Sequence, residues 1–285
     1  MKLCRYGKAG AEKPGMIDHE GTLRDLSGHV SDITADVLAN DGLRRLAAID
    51  PATLPRVEGT PRYGTPVAHV GKMICVGMNY ADHAAETQAP VPEQPVLFMK
   101  ATTAIGGAND TVVIPRGSVK TDWEVELGVI IGEVTRDVSI DKALNYVAGY
   151  AVINDLSERE FQLEHGGQWV KGKSCDTFGP IGPWLVTTDE VADPQNLSLW
   201  LEVNGHRYQN GNTRTMVFGV AHLVSYISRY MTLMPGDVIS TGTPAGVGLG
   251  LKPPTYLKPG DVIELGIEGL GRQRQDVIAH PNSTI

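Results

Sequence analysis

The sequence predicts an α+β fold dominated by strands, and three observations lead there. Thr121 to Gly132, reading TDWEVELGVIIG, puts Glu124 and Glu126 on one face of a strand, with Trp123, Val125, Leu127 and Val129 on the other, as in a half-buried strand. Turn signals recur between short apolar runs, the clearest being Asn204-Gly205, followed by the turn-and-strand runs MPGDVIS and KPGDVIEL. Helical periodicity is confined to about four stretches.

Composition narrows the function classes. The chain has 285 residues, 41% of them hydrophobic and 20% charged, which is ordinary for a globular protein able to bury a large core. A net charge of −8 and the lack of any Lys/Arg cluster exclude nucleic acid as a partner. No apolar run is long enough to span a membrane, and MKLCRYGKAG lacks the apolar centre of a signal peptide, so a cytoplasmic location is expected. Cys4, Cys75 and Cys175 are scattered, without CxxC spacing, as expected of reduced thiols.

In chain order, Lys2 to Tyr6 and Gly15 to Ile17 read as strands and Asp32 to Leu46 as helix-like, with Glu20-Gly21 and Asp41-Gly42 as turns. The prolines between Pro51 and Pro66 suggest an extended connector. The expected organisation is therefore a small leading module with connector over residues 1–68 and a large domain over 69–285. The large domain opens with a strand at Lys72 to Val76. Then comes GMNYADHAAE, where a short helix would put His83 and Glu86 on one side. That pair reads either as a surface contact or as a carboxylate orienting a general base. Val96 to Met99 is a strand ending at Lys100, a position that ordinarily faces solvent.

After the ExE strand, Ile140 to Val147 is helix-like and Gly149 to Ile153 a strand that ends at Asn154-Asp155. Asp155 with Glu158 fits a capping box for a helix Leu156 to Leu163, and Ser157 with Glu160 offers a second register. His165-Gly166-Gly167 leads into WVKGKSCDTFGPIGPWLV, whose polar density between Trp169 and Trp184 suggests a binding loop. Val217 to Met231 carries the periodicity of an amphipathic helix. The glycines of GVGLG lack the strand and helix context of a dinucleotide site, and Thr241 to Pro244 suggests an oxygen-rich pocket rim.

Together, GMNYADHAAE, VLFMK, DWEVELGVIIG, NDLSEREFQ, GKSCDTFGPIGP and STGTPAGVG resemble the fumarylacetoacetate hydrolase superfamily, in the expected order over roughly residues 70 to 280. The resemblance implies a mixed β-sandwich roll behind a small leading α/β module like that of bacterial members assigned to sugar-acid and ureide breakdown. It implies Glu124, Glu126 and Asp155 as ligands to Mg²⁺ or Mn²⁺, since three carboxylates suit a hard divalent ion better than zinc. By the same resemblance His83 and Glu86 form a catalytic pair on a lid around residues 79–95, and Lys173, rather than Lys171, is the active-site lysine. Lys100, Gln162 and Thr243 match substrate-contacting positions. Glu158 and Glu160 stand where many relatives carry a small residue and Asp, which leaves the ligand set intact and bears on pocket polarity.

The activity implied is metal-dependent hydrolysis of a carbon–carbon bond in 2,4-diketo acids, of acylpyruvate or diketo-deoxy sugar acid type, to pyruvate and a carboxylic acid, by a homodimer. Oxaloacetate decarboxylation, ureidoglycolate lyase activity and 2-hydroxydienoate isomerisation or hydration are alternatives on the same site. So is a non-catalytic, metal-dependent organic-acid binder.

Overall fold

The computed structural model describes residues 1–86 and 90–282; part of the lid expected around 79–95 therefore lies outside the described residues. Strands dominate, in mixed sheets with few helices, as the sequence predicts. The largest sheet has ten strands. From one edge they run Leu23–Asp25, Lys13–Ile17, Lys2–Tyr6, Gly179–Thr187, Val147–Asn154, Val125–Ile131, Val238–Ser240, Met73–Gly77 and Val96–Lys100, with Ile105–Gly107 beside Gly179–Thr187. Most pairings are antiparallel, but Val238–Ser240 runs parallel to Met73–Gly77 and Ile105–Gly107 parallel to Gly179–Thr187. The leading strands thus continue the large sheet through Lys2–Tyr6, which pairs with Gly179–Thr187.

A five-stranded sheet, ordered His206–Asn212, Ser198–Val203, Val262–Ile267, Gly271–Ala279 and Val112–Ile114, packs across the first. The Asn204-Gly205 hairpin is present, both residues having positive φ (52° and 77°), as a two-residue turn of this twist requires. Leu199, Leu201, Ile263 and Leu265 from this sheet share a core with Trp123, Val125, Leu127 and Val129. Apolar side chains on the other side of the large sheet, including Met73, Ile130, Ala151 and Ile153, pack with Leu3, Met16 and Leu26 of the leading segment.

That second cover corrects the expectation of a half-buried ExE strand. Every residue of Val125–Ile131 is buried, because the strand is central in its sheet and both faces are covered. Helices are shorter than periodicity suggests. The Asp32 to Leu46 stretch is two turns, Ala35–Leu38 and Gly42–Ala47, broken where Asn40 and Asp41 take positive φ. Ile140–Ala143 passes into a 3₁₀ turn at Leu144–Tyr146, and the amphipathic helix spans Val220–Ser228. Among the described residues no helix is long and apolar enough to cross a membrane.

Candidate active site

Strand register brings the acidic residues together. In the antiparallel ladder between Val125–Ile131 and Val147–Asn154, Val125 faces Asn154 and Glu126 faces Ile153. One step further the Asp155 amide donates to the Glu124 carbonyl at 2.9 Å, so Asp155 stands opposite Glu124. Side chains alternate along a strand, hence Glu124, Glu126 and Asp155 share one face. Each offers an oxygen within 4.8 Å of the others, and all three are buried. Like charges so placed repel, and neighbouring elements supply the compensation.

Lys173 Nζ donates to Glu124 Oε2 at 2.6 Å and Asp155 Oδ2 at 2.8 Å. It ends the helix Val170–Lys173, which lies against the helix Arg159–Leu163 because Gly172 has no side chain: a Cβ there would be 2.3 Å from the Glu158 carbonyl oxygen. Lys171, by contrast, is exposed and reaches the His165 carbonyl. Lys100 ends an edge strand yet is buried, donating to Asp155 Oδ1 at 2.5 Å and to the Leu156 carbonyl at 2.9 Å. It meets the cluster from behind Asp155 and is not among the described residues lining the cavity in front.

The two glutamates titrate in opposite directions. Burial alone raises Glu124, but the Lys173 and Arg159 cations overcome it and hold the group at about 2. Burial and the charges of Asp155 and Glu124 drive Glu126 well above the carboxylate range. Burial also opposes the charge on Lys173, but Asp155 and Glu124 reverse that effect and keep it protonated. Glu126 pairs with no cation among the described residues. Ser240 Oγ at 2.6 Å and the Gly242 amide at 2.9 Å both donate to its Oε2, leaving Oε1 without a hydrogen-bond partner among those residues. A buried carboxylate without a counter-charge, beside two others with spare lone pairs, is a donor set that fits Mg²⁺ or Mn²⁺.

In front of the cluster lies a cavity of about 260 Å³ whose lining includes His83, Glu124, Glu126, Arg159, Gln162, Lys173 and Thr243. His83 and Glu86 sit on the short helix Ala81–Glu86, with His83 Nδ1 3.4 Å from Glu86 Oε2. The Gly246 amide donates to both Glu86 oxygens, at 2.9 and 3.1 Å, and fixes the carboxylate in place. Gln162 accepts from Arg159 Nη1 at 3.0 Å. Since guanidinium can only donate, the contact must be to the amide oxygen, which leaves the Gln162 NH₂ for the cavity. The Thr243 hydroxyl donates to the Val125 carbonyl at 2.9 Å and accepts from Gln209 at 2.7 Å, so it also ties the rim to the ExE strand.

Sequence reasoning missed Arg159 and Asp122. Arg159 donates to Asp122 Oδ2 (2.8 Å) and Glu124 Oε1 (2.7 Å) from full burial. Asp122 also accepts from the amides of Trp123, Gly248 and Leu249. The GVGLG run thus spends its Gly248 and Leu249 amides on Asp122 and its Gly246 amide on Glu86, carboxylates of its own chain. The only signal was an arginine in SEREFQ and an aspartate opening an apolar strand. The capping box is also corrected: the helix begins at Arg159, and Glu158 caps it by accepting from the Glu160 amide, while each Asp155 oxygen accepts from a lysine. Ser157 Oγ donates to the Asp155 carbonyl instead of capping. Cys175 is partly buried, its thiol pushed up to about 11 by burial, and takes no part in the cluster.

Residues 72–278 match the family model described as fumarylacetoacetate (FAA) hydrolase C-terminal. A Burkholderia lata protein, provisionally named a hydrolase, is 66% identical over 276 residues, covering 96% of this chain and 98% of its own. The fumarylacetoacetate hydrolase of psychrophilic Exiguobacterium antarcticum superposes with a TM-score of 0.87 at 38% identity, covering 98% of this chain and 100% of that one. The maleylpyruvate hydrolase of Sphingobium sp. SYK-6 gives a TM-score of 0.81 at 30% identity, with 98% and 100% covered. A 2-hydroxyhepta-2,4-diene-1,7-dioate isomerase from Mycobacterium marinum gives 0.74 at 32%, with 99% and 100% covered.

Proposed function

Because the chain belongs to the fumarylacetoacetate hydrolase family, we propose that it is a Mg²⁺- or Mn²⁺-dependent hydrolase of 2,4-diketo acids, releasing pyruvate and a carboxylic acid. The observation that carries this reading is His83, backed by Glu86, lining the same cavity as Glu124 and Glu126. Glu124, Glu126 and Asp155 would hold the ion, which when bound supplies Lewis-acid polarisation of the keto acid's oxygens. Arg159, Lys100 and Lys173 face Asp122, Glu124, Glu126 and Asp155, three cations against four carboxylates. With all four carboxylates ionised the cluster carries one excess negative charge, which a bound divalent ion would more than offset, suiting an anionic acid.

The rest of the chemistry belongs to the chain's own side chains. His83 takes a proton from water, and Glu86, fixed by the Gly246 amide, orients the imidazole. The hydroxide formed adds to the C4 carbonyl, the C3–C4 bond breaks with its electron pair going to C3, and the proton taken from water balances the one C3 acquires. The Gln162 NH₂ stabilises the oxyanion developing at C4, a contribution on the order of 3 kcal/mol for a well-placed donor. Lys173 keeps Glu124 ionised and pairs with Asp155. Lys100 positions Asp155. Thr243 holds the cavity rim against the ExE strand. Residence in the cytoplasm and assembly as a homodimer belong to this proposal, on family grounds.

Substituting His83→Ala tests the reading. Pyruvate release from acylpyruvates is expected to fall on the order of 10²- to 10⁴-fold while Mn²⁺ binding is retained. Undiminished hydrolysis removes the pair from the mechanism. The same panel includes oxaloacetate, ureidoglycolate and a 2-hydroxydienoate, so that a rival activity appears directly. No turnover of any of them leaves an organic-acid binder.

A further inference from the structure

We propose that the substrate's acyl half carries an apolar or aromatic tail, selected by Trp169, Phe98 and Leu163 against a tail that ends in a second carboxylate. This rests on the hydrolase reading and names its substrate class. The cavity has two unlike halves. Besides the charged cluster, the lining includes Met78, Phe98, Leu163, Trp169 and Leu249, an apolar wall.

That wall is built into the fold. The Trp169 ring meets Phe98 edge-on, with centroids 5.4 Å apart and planes at 65°. It also lies over Gly77, the last residue of the Met73–Gly77 strand, so closely that a Cβ there would be 2.4 Å from Trp169 Cζ3. Phe98 comes from the adjoining strand, and the Lys173 ammonium lies 5.1 Å from its ring centre, which ties the wall to the charged floor. Leu163 ends its helix at the mouth and is 46% exposed, apolar surface that a hydrocarbon tail would cover.

Among the described residues, the wall offers no uncommitted lysine or arginine to a distal carboxylate. The cations lining the cavity are committed: Arg159 to Asp122 and Glu124, and Lys173 to Glu124 and Asp155. His83 is paired with Glu86, and Lys171 is held at the His165 carbonyl. A carboxylate pressed on this wall would lose hydration and gain no counter-charge.

The test measures kcat/KM for acetylpyruvate, benzoylpyruvate and succinylpyruvate, and calorimetric binding of 2-oxohexanoate against 2-oxoadipate with Mn²⁺ present. Benzoylpyruvate is expected to exceed acetylpyruvate on the order of tenfold or more. Succinylpyruvate is expected to fall below benzoylpyruvate on the order of a hundredfold, with 2-oxohexanoate binding the tighter of the two oxo acids. In Trp169→Ala the benzoyl-to-acetyl ratio collapses towards one. Leu163→Arg, at an exposed position that tolerates the change, raises use of succinylpyruvate. Pyruvate release that is as fast from succinylpyruvate as from benzoylpyruvate overturns the selectivity and leaves the hydrolase reading standing. Equal or undetectable binding of the two oxo acids also overturns it. If no diketo acid releases pyruvate but 2-oxohexanoate still binds preferentially, the hydrolase reading fails and the apolar selection stands.

Discussion

Replacing Arg159 with Met, which keeps most of the volume and removes the charge, is expected to destabilise the protein measurably before any substrate is present. The guanidinium is 5% exposed and lies between Asp122 and Glu124, which are 0% and 6% exposed. Removing one partner from a buried ion pair costs about 3–5 kcal/mol, because the other charge is left buried. Here both carboxylates keep other donors: three backbone amides on Asp122, and Lys173 at 2.6 Å on Glu124. The lower end, about 3 kcal/mol, is therefore expected. For a chain of this size, with an unfolding entropy of about 600 cal/mol/K, that is a fall in Tm of about 5 °C. Thermal unfolding followed by circular dichroism, without added metal, measures it. Asp122→Asn combined with Arg159→Met should cost less than the two separately, because they share one interaction. A Tm shift under about 1 °C, or strict additivity, refutes the view that Arg159 neutralises the floor of the site.

Two further perturbations separate the lid contact from the thiol. Gly250→Ala would put a Cβ 2.3 Å from Glu86 Cδ, so the carboxylate must swing away from Gly246 and His83. We expect a stability loss of about 1 kcal/mol and a larger effect on kcat, with Mn²⁺ affinity unchanged; wild-type kcat contradicts the positioning role of Glu86. Cys175→Ser should retain activity within about twofold, and iodoacetamide should label Cys175 slowly at neutral pH, since burial holds the thiol at about 11. Rapid labelling accompanied by inactivation would contradict both.

Much of this site was legible in the sequence, but unevenly. The two-residue spacing of Glu124 and Glu126 fixes a shared face on any strand, and Asn204-Gly205 specifies its hairpin locally. Asp155 is different. Its partnership with Glu124 depends on a register set across two separate strands, and local chemistry argued for a helix cap that Glu158 supplies instead. The family resemblance pointed to the acidic set; the ladder gives the physical reason for it.

Burial was the property least visible. An ExE strand reads as half-solvated, yet the leading segment covers the sheet's second side and the site residues close over the carboxylates. Lys100 looked like the exposed end of a strand, whereas Asp155 draws it inside. Arg159 carried no spacing signal, because its role depends on Asp122, whose position is fixed by amides from a loop near the far end of the chain.

The most direct measurement is Mn²⁺ binding followed by electron paramagnetic resonance on metal-stripped wild type and Glu126→Gln. If Glu124, Glu126 and Asp155 hold one ion between them, wild type takes up one tightly bound Mn²⁺ per chain and Glu126→Gln loses it, together with acylpyruvate hydrolysis. Equal Mn²⁺ uptake by the two proteins, or full hydrolysis by the metal-stripped enzyme, contradicts the assignment.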